Sequence, residues 1–460
     1  MACVLWFRRD LRITDHVALA AAARDDVVGL FVVDPSIVGG VGPTRAHYLV
    51  ATLESLNASM GGRLVVRVGD PADVVSSVAR ETGAATVYAT GDFTPRGRQR
   101  DHRVATALAA AGRTWRALGS PYLADPGTTL AASGQPYRVY GAFRRAWSAR
   151  LGDPPVTVGD VNWISLDGVT ADAVVTEAAR RRPRYFGDLP DGPSPNLPEA
   201  GEGAVAQAIA RFEPFVGRYD VERDRPDLDV TSRLSALLHV GAVHPRTVLA
   251  RLDGPTSGAR TWRDELCWRE FYADVLAHHP ESAWRAYRPS LAGLRVDRGT
   301  SAEERFRTWA RGETGFPLVD AGMRQLLAEG WMHNRVRMVT ASFLVKHLHL
   351  DWRWGAAWFL WRLVDGDVAS NQHGWQWVAG TGTDPAPFYR IFNPIRQAER
   401  FDPHGDYVRR YVSELADVAA PADLASETAT ASGYPAPMID LAHERAEALA
   451  RYRELARTPT

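Results

Sequence analysis

Short apolar runs alternate with alanine-rich amphipathic segments along the first 120 residues of the chain. The runs are continuous and rich in β-branched residues, as expected of strands that are buried on both faces of a parallel sheet. They predict strands at residues 3–7, 27–33, 64–68, 86–89 and 114–118. The segments between them predict helices at residues 16–23, 44–59, 71–82 and 98–111. This alternation indicates an α/β domain over residues 1–125, with a doubly wound, Rossmann-like parallel sheet.

The pattern changes after residue 120, where proline and glycine become frequent, most densely at residues 190–198. We interpret residues 126–200 as a surface connector with a few helical turns. Beyond it, apolar positions recur with a period of about 3.6, which predicts an all-α domain over residues 201–460. The predicted helices span residues 204–212, 232–239, 245–252, 261–278, 302–310, 318–329, 335–347 and 355–363.

The composition is that of an ordinary globular protein. The 460 residues suffice for two or three domains, and 45% of them are hydrophobic. No apolar run reaches the roughly 18 residues of a membrane span, and charge follows the first apolar run rather than preceding it. We therefore expect a cytoplasmic protein with no membrane partner. Cys3 and Cys267 each lie in an apolar element, which favours two buried free thiols.

The charged residues balance, with 54 basic and 54 acidic side chains. A net charge of zero argues against a uniformly basic surface, but it is compatible with a local surface that binds nucleic acid. Lys346 is the only lysine. The abundance of arginine and alanine is typical of a GC-rich genome, so an arginine needs a positional argument before it is assigned to phosphate.

Aromatic rings are concentrated among polar side chains in residues 316–396. Seven of the fifteen tryptophans lie here, interleaved with Arg, His, Asn and Asp. Rings at this density build either a large apolar core or a slot for a flat ligand. The polar residues between them favour the slot, because buried Asn, Asp and Arg side chains need partners.

Two short motifs upstream add candidate chemistry. Residues 231–235, Thr-Ser-Arg-Leu-Ser, open a predicted helix and could either cap it or offer hydroxyl and N–H groups to an anion. Glu265 and Arg269 are four residues apart on a predicted helix, with Trp268 beside them. This spacing fits a solvated ion pair, and the tryptophan tilts the interpretation toward a mixed polar–aromatic pocket.

Two further motifs lie in the ring-rich segment. Asn334, Arg337 and Met338 fall on one side of a predicted helix. Residues 365–377 are polar and turn-rich and end in two rings, Trp375 and Trp377. Residues 380–384 lack the lysine and spacing of a phosphate-binding loop and are interpreted as a flexible turn. No His, Cys and carboxylate grouping has metal-ligand spacing, so no metal is predicted.

These motifs resemble those of the photolyase/cryptochrome family, and specifically of its class I cyclobutane pyrimidine dimer photolyases. Any one motif is modest evidence, but their shared order along nearly the whole chain is specific. The family architecture, an α/β domain followed by a helical FAD-binding domain, agrees with the pattern described above. The matching segments are residues 5–12, 231–235, 265–272, 330–338, 365–377 and 388–415.

The resemblance implies an FAD cofactor bound in a bent shape within the helical domain. It assigns Arg337 and Asp365 to a buried pair beside the isoalloxazine, Asp367 to the ribityl chain, and Asn371 to flavin N5. A second set of residues is implied around the cofactor, mostly at its phosphates: Tyr219, Thr231, Ser232, Arg233, Leu234, Ser235, Arg269 and Asn334.

The resemblance also implies a substrate, a cyclobutane pyrimidine dimer in DNA. Repair would be light-dependent, by electron transfer from excited FADH⁻ to a dimer flipped out of the duplex. Trp268 and Trp377 would sandwich the dimer, and Glu265 would hydrogen-bond its pyrimidine edge. The remaining implied contacts are Asn334 and Met338 in the same cavity, and Arg223 and Arg335 on the flanking phosphates.

A tryptophan chain that re-reduces oxidised flavin is the family feature from which this sequence departs. Trp375 and Trp352 match its two inner members. The third ring is expected about ten residues before Trp309, where residues 294–299 contain no tryptophan. Either Trp354, Trp358 or a tyrosine ends the chain, or photoreduction is slow.

Two points stay open at this stage. A second, antenna chromophore is implied by the family, and no motif decides between a deazaflavin and methenyltetrahydrofolate. The alternative functions are a cryptochrome-type blue-light sensor and a (6-4) photolyase on the same fold, and an adenine-nucleotide hydrolase type of α/β protein would explain only the first 120 residues. We expect a monomer that associates with the nucleoid when bound to damaged DNA.

Overall fold

Six parallel strands form the sheet of the computed structural model, which describes residues 1–383, 390–418 and 432–457. The strand order is β3-β2-β1-β4-β5, with β6 paired to the first residues of β2. This is the doubly wound order. The predicted α/β class is therefore confirmed, and each of the five predicted strands agrees closely with an observed one. The strands are β1 (Ala2–Phe7), β2 (Asp26–Val33), β3 (Val65–Val68), β4 (Thr86–Ala89), β5 (Thr114–Ala117) and β6 (Asn162–Trp163).

The sheet is buried because both of its faces carry apolar side chains. Alternate residues of a strand point to opposite faces, and every residue of β1 after the first is buried. Val4 and Trp6 share one cluster with Val28 and Leu30 of β2. The helices that follow β3 and β4 contribute apolar residues to the same cluster. This packing explains why the strands read as continuous apolar runs rather than as an alternation.

Helices are the main elements in the rest of the described chain. Up to residue 280 they are α1 (Val17–Ala22), α2 (Pro35–Val38), α3 (Pro43–Ser59), α4 (Pro71–Glu81), α5 (Pro95–Ala110), α6 (Tyr140–Ser148), α7 (Ala173–Glu177), α8 (Ala204–Phe212), α9 (Tyr219–Glu222), α10 (Ser235–Val240), α11 (Pro245–Leu252) and α12 (Ser257–His278). Beyond it they are α13 (Thr300–Arg311), α14 (Pro317–Glu329), α15 (Asn334–Lys346), α16 (Trp352–Arg362), α17 (Val368–Ala379), α18 (Pro394–Phe401), α19 (Asp406–Tyr411) and α20 (Leu441–Arg457).

The chain divides into two compact units that each combine three separate stretches. Unit 1 contains Met1–Arg181, Pro198–Asp220 and Ser232–Pro280. Unit 2 contains Arg182–Leu197, Val221–Thr231 and Glu281–Thr460.

Two segments differ from their sequence-based interpretation. Residues 365–377 were expected to be turn-rich, but most of them form α17, whose N-cap is Asp367, with the Ser370 N–H donating to its carboxylate at 2.9 Å. The capping bond explains how a segment with Asn, Gly and Ser begins a helix. Gly380 ends this helix with a φ of 80°, and the last residue of the expected flexible turn, Asp384, lies outside the described residues. Within the predicted connector, α6 buries Phe143 and Trp147 and is more than a surface turn.

The C-terminal helix α20 packs within unit 2. Its Tyr452 hydroxyl donates to the Ala379 carbonyl at 2.8 Å, and its Arg451 bonds to Asp297 at 2.7 Å. The charged residues of this segment therefore belong to a packed helix. None of the helices in the described ranges is long and apolar enough to cross a membrane.

Three side chains of unusual chemistry are buried. Cys3 and Cys267 are free and buried, as expected. Lys346, the only lysine, is 1% exposed, and its ammonium donates to the Arg390 carbonyl at 2.8 Å. Burial lowers the pKa of Lys346 to about 8, because a charged amine loses hydration in the interior.

Candidate functional site

The hydroxyl-rich turn precedes α10 rather than forming part of it. Arg233 adopts a left-handed backbone with a φ of 49°, and the helix begins only at Ser235. The Thr231 hydroxyl oxygen is buried and has no hydrogen-bond partner among the residues that the structure describes. A buried polar atom without a partner is costly, so this hydroxyl is suited to a ligand. Leu234 is buried, and the Leu234 N–H donates a long hydrogen bond to the Ser232 hydroxyl at 3.5 Å.

Arg269 on α12 is held by unit 1 itself. It donates to the carbonyls of Pro121 at 3.0 Å and Leu238 at 3.3 Å, and its guanidinium lies 4.4 Å from the centre of the Tyr122 ring. These contacts leave part of its five-donor fork for an anion. Tyr219, also in unit 1, meets the Phe212 ring edge-on at 5.6 Å.

The lesion-binding candidates of α12, Glu265 and Trp268, are both partly exposed. One turn further on, the helix is anchored by Glu270, which is 2% exposed. Its carboxylate accepts N–H groups from Leu123 at 2.6 Å, Ala124 at 3.0 Å and the Trp147 indole at 2.7 Å. A buried carboxylate with three donors fixes the helix against the preceding loop and α6.

Glu270 should give the protein a defined pH dependence. Burial raises its pKa from 4.5 to about 6, and the three hydrogen bonds oppose that rise. The Glu270 carboxyl binds its proton more tightly in the folded protein than in the unfolded chain. Its contribution to the free energy of unfolding is therefore fully present below pH 4.5 and is lost as the pH rises through about 6. We expect urea titrations to show the stability difference between wild type and Glu270→Gln changing by roughly 2 kcal/mol across this window. A difference that is constant with pH would contradict the assignment.

In unit 2, α15 carries four candidates over its first five residues. Asn334 is exposed at the first position, and Met338 lies one turn later, partly exposed. Arg337 forms an ion pair with Asp365 at 2.8 Å and also donates to the Met332 carbonyl at 2.7 Å. The predicted pairing of Arg337 with Asp365 is therefore present in the fold.

Asp365 is the buried member of this pair, with 4% of its side chain exposed. One of its carboxylate oxygens bonds to Arg337, and the other is buried without a hydrogen-bond partner within the described part of the chain. A buried carboxylate oxygen in this position calls for a further donor. The flavin expected here would present such donors, so Asp365 fits the implied cofactor.

Arg335, predicted to bind DNA phosphate, already has protein contacts. It pairs with Asp224 at 2.6 Å and its guanidinium lies 4.4 Å from the centre of the Phe401 ring. A phosphate would therefore have to share this cation with Asp224. Arg223, its predicted counterpart, is half-buried in the same unit.

Helix α17 and its N-cap residue carry four candidates. After Asp367 at the N-cap come Asn371 and Trp375, which are four residues apart and lie on one face. The Asn371 amide nitrogen donates to the Ala356 carbonyl at 3.1 Å and to Gln372 at 2.8 Å. The side-chain oxygen of Asn371 can therefore accept a hydrogen bond from a ligand. Trp377, two residues beyond Trp375, is partly exposed.

Trp375 belongs to a continuous group of rings in unit 2. It meets Trp309 edge-on at 6.1 Å and Phe359 at 5.0 Å, and it is 3% exposed. Phe306 lies 5.8 Å from Trp309 and 5.8 Å from Trp354. The rings thus connect a buried tryptophan with a partly exposed one.

The partly exposed end of this ring group offers a candidate for the third tryptophan, which residues 294–299 lack. Trp354 is partly exposed and stacks on Tyr185 with ring centres 4.9 Å apart. Trp358, the other tryptophan considered from the sequence, is fully buried. Trp352 lies at the first position of α16, two residues before Trp354, and is 8% exposed.

The position of Trp375 depends on the glycine it packs against. A Cβ at Gly355 would lie 2.1 Å from an atom of the Trp375 ring. We therefore expect Gly355→Ala to destabilise the protein by about 1–3 kcal/mol through overpacking, measured by urea unfolding. Gly374 on α17 is the control, because a Cβ there meets nothing within 4 Å and alanine favours a helix. Equal stability of the two variants would show that Trp375 is not held against α16.

The side chains present fit FAD. Two buried oxygens without partners, on Thr231 and Asp365, occur at residues that the resemblance assigns to the cofactor. Across residues 1–383, 390–418 and 432–457, no group of three or more His, Cys, Asp and Glu side chains could hold a metal ion.

Comparison with known proteins covers nearly the whole chain. Residues 3–159 match the family described as DNA photolyase, and residues 262–454 match the FAD binding domain of DNA photolyase. The chain is 39% identical to the deoxyribodipyrimidine photo-lyase of Synechococcus sp., over 98% of this chain and 96% of that protein.

Two solved structures are similar throughout. A bacterial class III photolyase from Agrobacterium tumefaciens has a TM-score of 0.85 and 35% identity, covering 99% of this chain and 98% of the other. An archaeal photolyase from Sulfolobus tokodaii, solved with two FAD molecules, has a TM-score of 0.84 and 28% identity, covering 99% of this chain and all of the other.

Fold and side chains together define a flavoprotein of photolyase and cryptochrome architecture. The chain belongs to the DNA photolyase family, and its helical part contains that family's FAD-binding domain. The predictions of family, cofactor and enzyme are thereby confirmed. The class I subdivision stays a prediction, because a class III enzyme is among the similar structures. The roles of individual residues likewise stay predictions.

Sequence reasoning missed a close neighbour of the candidate residue Trp268. Helix α6 lies inside the segment interpreted as a connector, and its first residue, Tyr140, stacks on Trp268. The available signal was the run of rings and arginines in residues 137–147, whose apolar positions recur at helical spacing.

Proposed function

We propose that this protein repairs cyclobutane pyrimidine dimers in DNA in a light-dependent reaction. The observation that carries the proposal is the pairing of Glu265 with Trp268 on one partly exposed stretch of α12, in a chain similar throughout to a deoxyribodipyrimidine photo-lyase. A carboxylate and a large ring are suited to the polar edge and the apolar face of a pyrimidine dimer. Trp377 supplies a second partly exposed ring in unit 2.

The cofactor-binding roles follow from the groups described above. When bound, FAD supplies the light-excited electron donor for dimer splitting. Arg337 and Asp365 would hold the ring system by hydrogen bonds, and Asp367 and Asn371 would orient it. The remaining set would bind the phosphates and flanking atoms: Tyr219, Thr231, Ser232, Arg233, Leu234, Ser235, Arg269 and Asn334.

DNA binding would draw on both rings and arginines. Base–aromatic stacking contributes roughly 1–3 kcal/mol per base, so Trp268 and Trp377 would supply most of the lesion-specific affinity. Met338 and Asn334 would also contact the lesion. Arg223 and Arg335 would contact flanking phosphates and make binding weaker at high salt.

Electrons for restoring the active state would travel along tryptophans of unit 2. Trp375 and Trp352 stay the proposed inner members. For the outer member the geometry favours Trp354 over Trp358, because Trp354 is partly exposed and stacks on Tyr185, whereas Trp358 is fully buried.

We assign the proposed roles to three consecutive segments of the sequence. Residues 1–125 would form an antenna domain, residues 126–200 a connector, and residues 201–460 the FAD-binding catalytic domain. A deazaflavin or methenyltetrahydrofolate remains a candidate second chromophore. We further propose that the protein acts as a monomer in the cytoplasm, at damaged sites of the nucleoid.

A direct repair assay tests the proposal. Reduced, FAD-loaded protein is mixed with a short oligonucleotide carrying a thymine dimer and illuminated with blue light, beside a dark control. Light-dependent loss of dimers, reduced in Glu265→Gln, is the expected result. Bound FAD with no repair of this lesion would overturn it, and repair of a (6-4) photoproduct instead would identify the alternative enzyme.

A further inference from the structure

Helix α6 presents four side chains to α12 along one face. Tyr140, Phe143, Arg144 and Trp147 follow the spacing of three and four residues that places side chains on the same side of a helix. All four contact α12, and both helices belong to unit 1. The contacts fall on either side of the lesion-binding candidates.

Tyr140 makes the contact nearest to these candidates. Its ring lies flat on the Trp268 ring, with centres 3.5 Å apart and planes inclined by 6°. Its hydroxyl donates to the backbone carbonyl of Asp264 at 2.9 Å. The same tyrosine therefore holds the ring of Trp268 and the backbone immediately before Glu265.

The other residues of this face secure the two helices on both sides of that stack. Arg144 pairs with the Asp264 carboxylate at 2.7 Å. Trp147 donates to Glu270 at 2.7 Å, and Phe143 lies 5.3 Å from Phe271. Trp147 and Phe143 are buried. Helix α6 therefore packs firmly against α12 and is more than a surface segment of the connector.

A partly exposed tryptophan that must receive a ligand benefits from a fixed orientation. Without a neighbour it would occupy several rotamers, and the cost of ordering it would reduce affinity. The Tyr140 ring covers one face of Trp268, and Phe271 and Tyr272 also contact this tryptophan at 5.8 and 5.5 Å. The part of the Trp268 ring that stays exposed is available to another flat group. Such support from a neighbouring residue is how binding geometries are made precise.

We propose that Tyr140 is a positioning residue that holds Trp268 in the orientation required to receive a flipped-out pyrimidine dimer. The inference rests on the proposed function, because it takes Trp268 as a lesion contact. It adds a role for a side chain in the segment between the α/β sheet and the helical part of the chain.

Replacing Tyr140 separates its ring from its hydroxyl. In FAD-loaded protein, Tyr140→Leu should weaken binding of a dimer-containing oligonucleotide about two- to twelvefold, the range expected for a lost aromatic pair. Binding of the undamaged oligonucleotide and FAD content should be unchanged, and the melting temperature should fall by no more than a few degrees, because one aromatic pair is lost. Tyr140→Phe keeps the ring and should bind the dimer nearly as well as wild type.

Tyr137→Leu is the matched control. Tyr137 lies three residues earlier and meets Phe143 edge-on at 6.3 Å, so the variant loses an aromatic contact of the same segment away from Trp268. Its ratio of dimer to undamaged affinity should equal that of wild type. If both leucine variants lower this ratio equally, the segment acts through general stability and the positioning role is wrong.

A double-mutant cycle with Trp268→Ala completes the test. If Tyr140 acts through Trp268, Tyr140→Leu should have no further effect on dimer affinity in the Trp268→Ala background. An equal effect in both backgrounds would overturn the inference alone. If Trp268→Ala itself leaves dimer affinity unchanged, the lesion-binding role of Trp268 in the proposed function fails first.

Discussion

Replacing Arg337 with methionine should lower the free energy of unfolding by about 3–5 kcal/mol, the cost of leaving one charge of a buried pair alone. Within the described residues, Asp365 would lose the ion-pair partner that lies 2.8 Å away, with 4% of its side chain exposed and its second oxygen already without a hydrogen bond. Loss of FAD should accompany the instability. Urea unfolding and the flavin absorbance of the purified protein measure the two effects.

Two further variants distinguish this explanation from general damage to α15. Arg335→Met removes an arginine two residues earlier, whose partner Asp224 is 32% exposed, so its loss should cost about 1 kcal/mol or less. Arg337→Met combined with Asp365→Leu replaces both charges with apolar groups and should recover most of the stability, but not FAD binding. Equal stability of Arg337→Met and Arg335→Met would contradict the expected cost of an unpaired charge on Asp365.

Trp377→Ala should weaken binding of dimer-containing DNA by about 5- to 150-fold, which corresponds to the 1–3 kcal/mol of a lost base–aromatic stack. The residue is partly exposed near the end of α17, so its removal leaves no large cavity. FAD content and affinity for undamaged DNA should stay close to wild type. Fluorescence anisotropy with matched damaged and undamaged oligonucleotides measures the change.

Trp284→Ala provides the comparison for Trp377. Trp284 is in the same unit and is 53% exposed, and no lesion-binding role is assigned to it. Its removal should alter the ratio of dimer to undamaged affinity less than twofold. Unchanged dimer affinity in Trp377→Ala would remove this ring from the proposed site and leave Trp268 as the lesion contact.

The sheet was predictable because its strands are buried on both faces. Each strand is therefore a continuous apolar run bounded by an amphipathic segment, and residues 3–7 and 86–89 were located almost to the residue. The long helices were predictable from their 3.6-residue period. Helix α17 was missed because its composition suggested turns, and the single cap at Asp367 outweighed that composition.

The candidate site was predictable only as a set of residues. Motif order and resemblance supplied the names, but not the partners: the bond from Tyr140 to Asp264 spans 124 positions in the sequence. Contacts of that separation depend on tertiary packing, which local patterns do not encode. Likewise, no motif indicated that Arg335 forms an ion pair with Asp224.

Because Lys346 is the only lysine in the sequence and is buried, local opening of α15 can be measured by proteolysis. A lysine-specific protease has one cleavage site in this sequence, after Lys346, and that side chain is 1% exposed in the fold. Cleavage therefore requires local opening of the helix end, so its rate reports the fraction of molecules in which this region is open. Any ligand that binds only the closed form would slow the cut, which gives an assay of site occupancy that needs neither light nor a label.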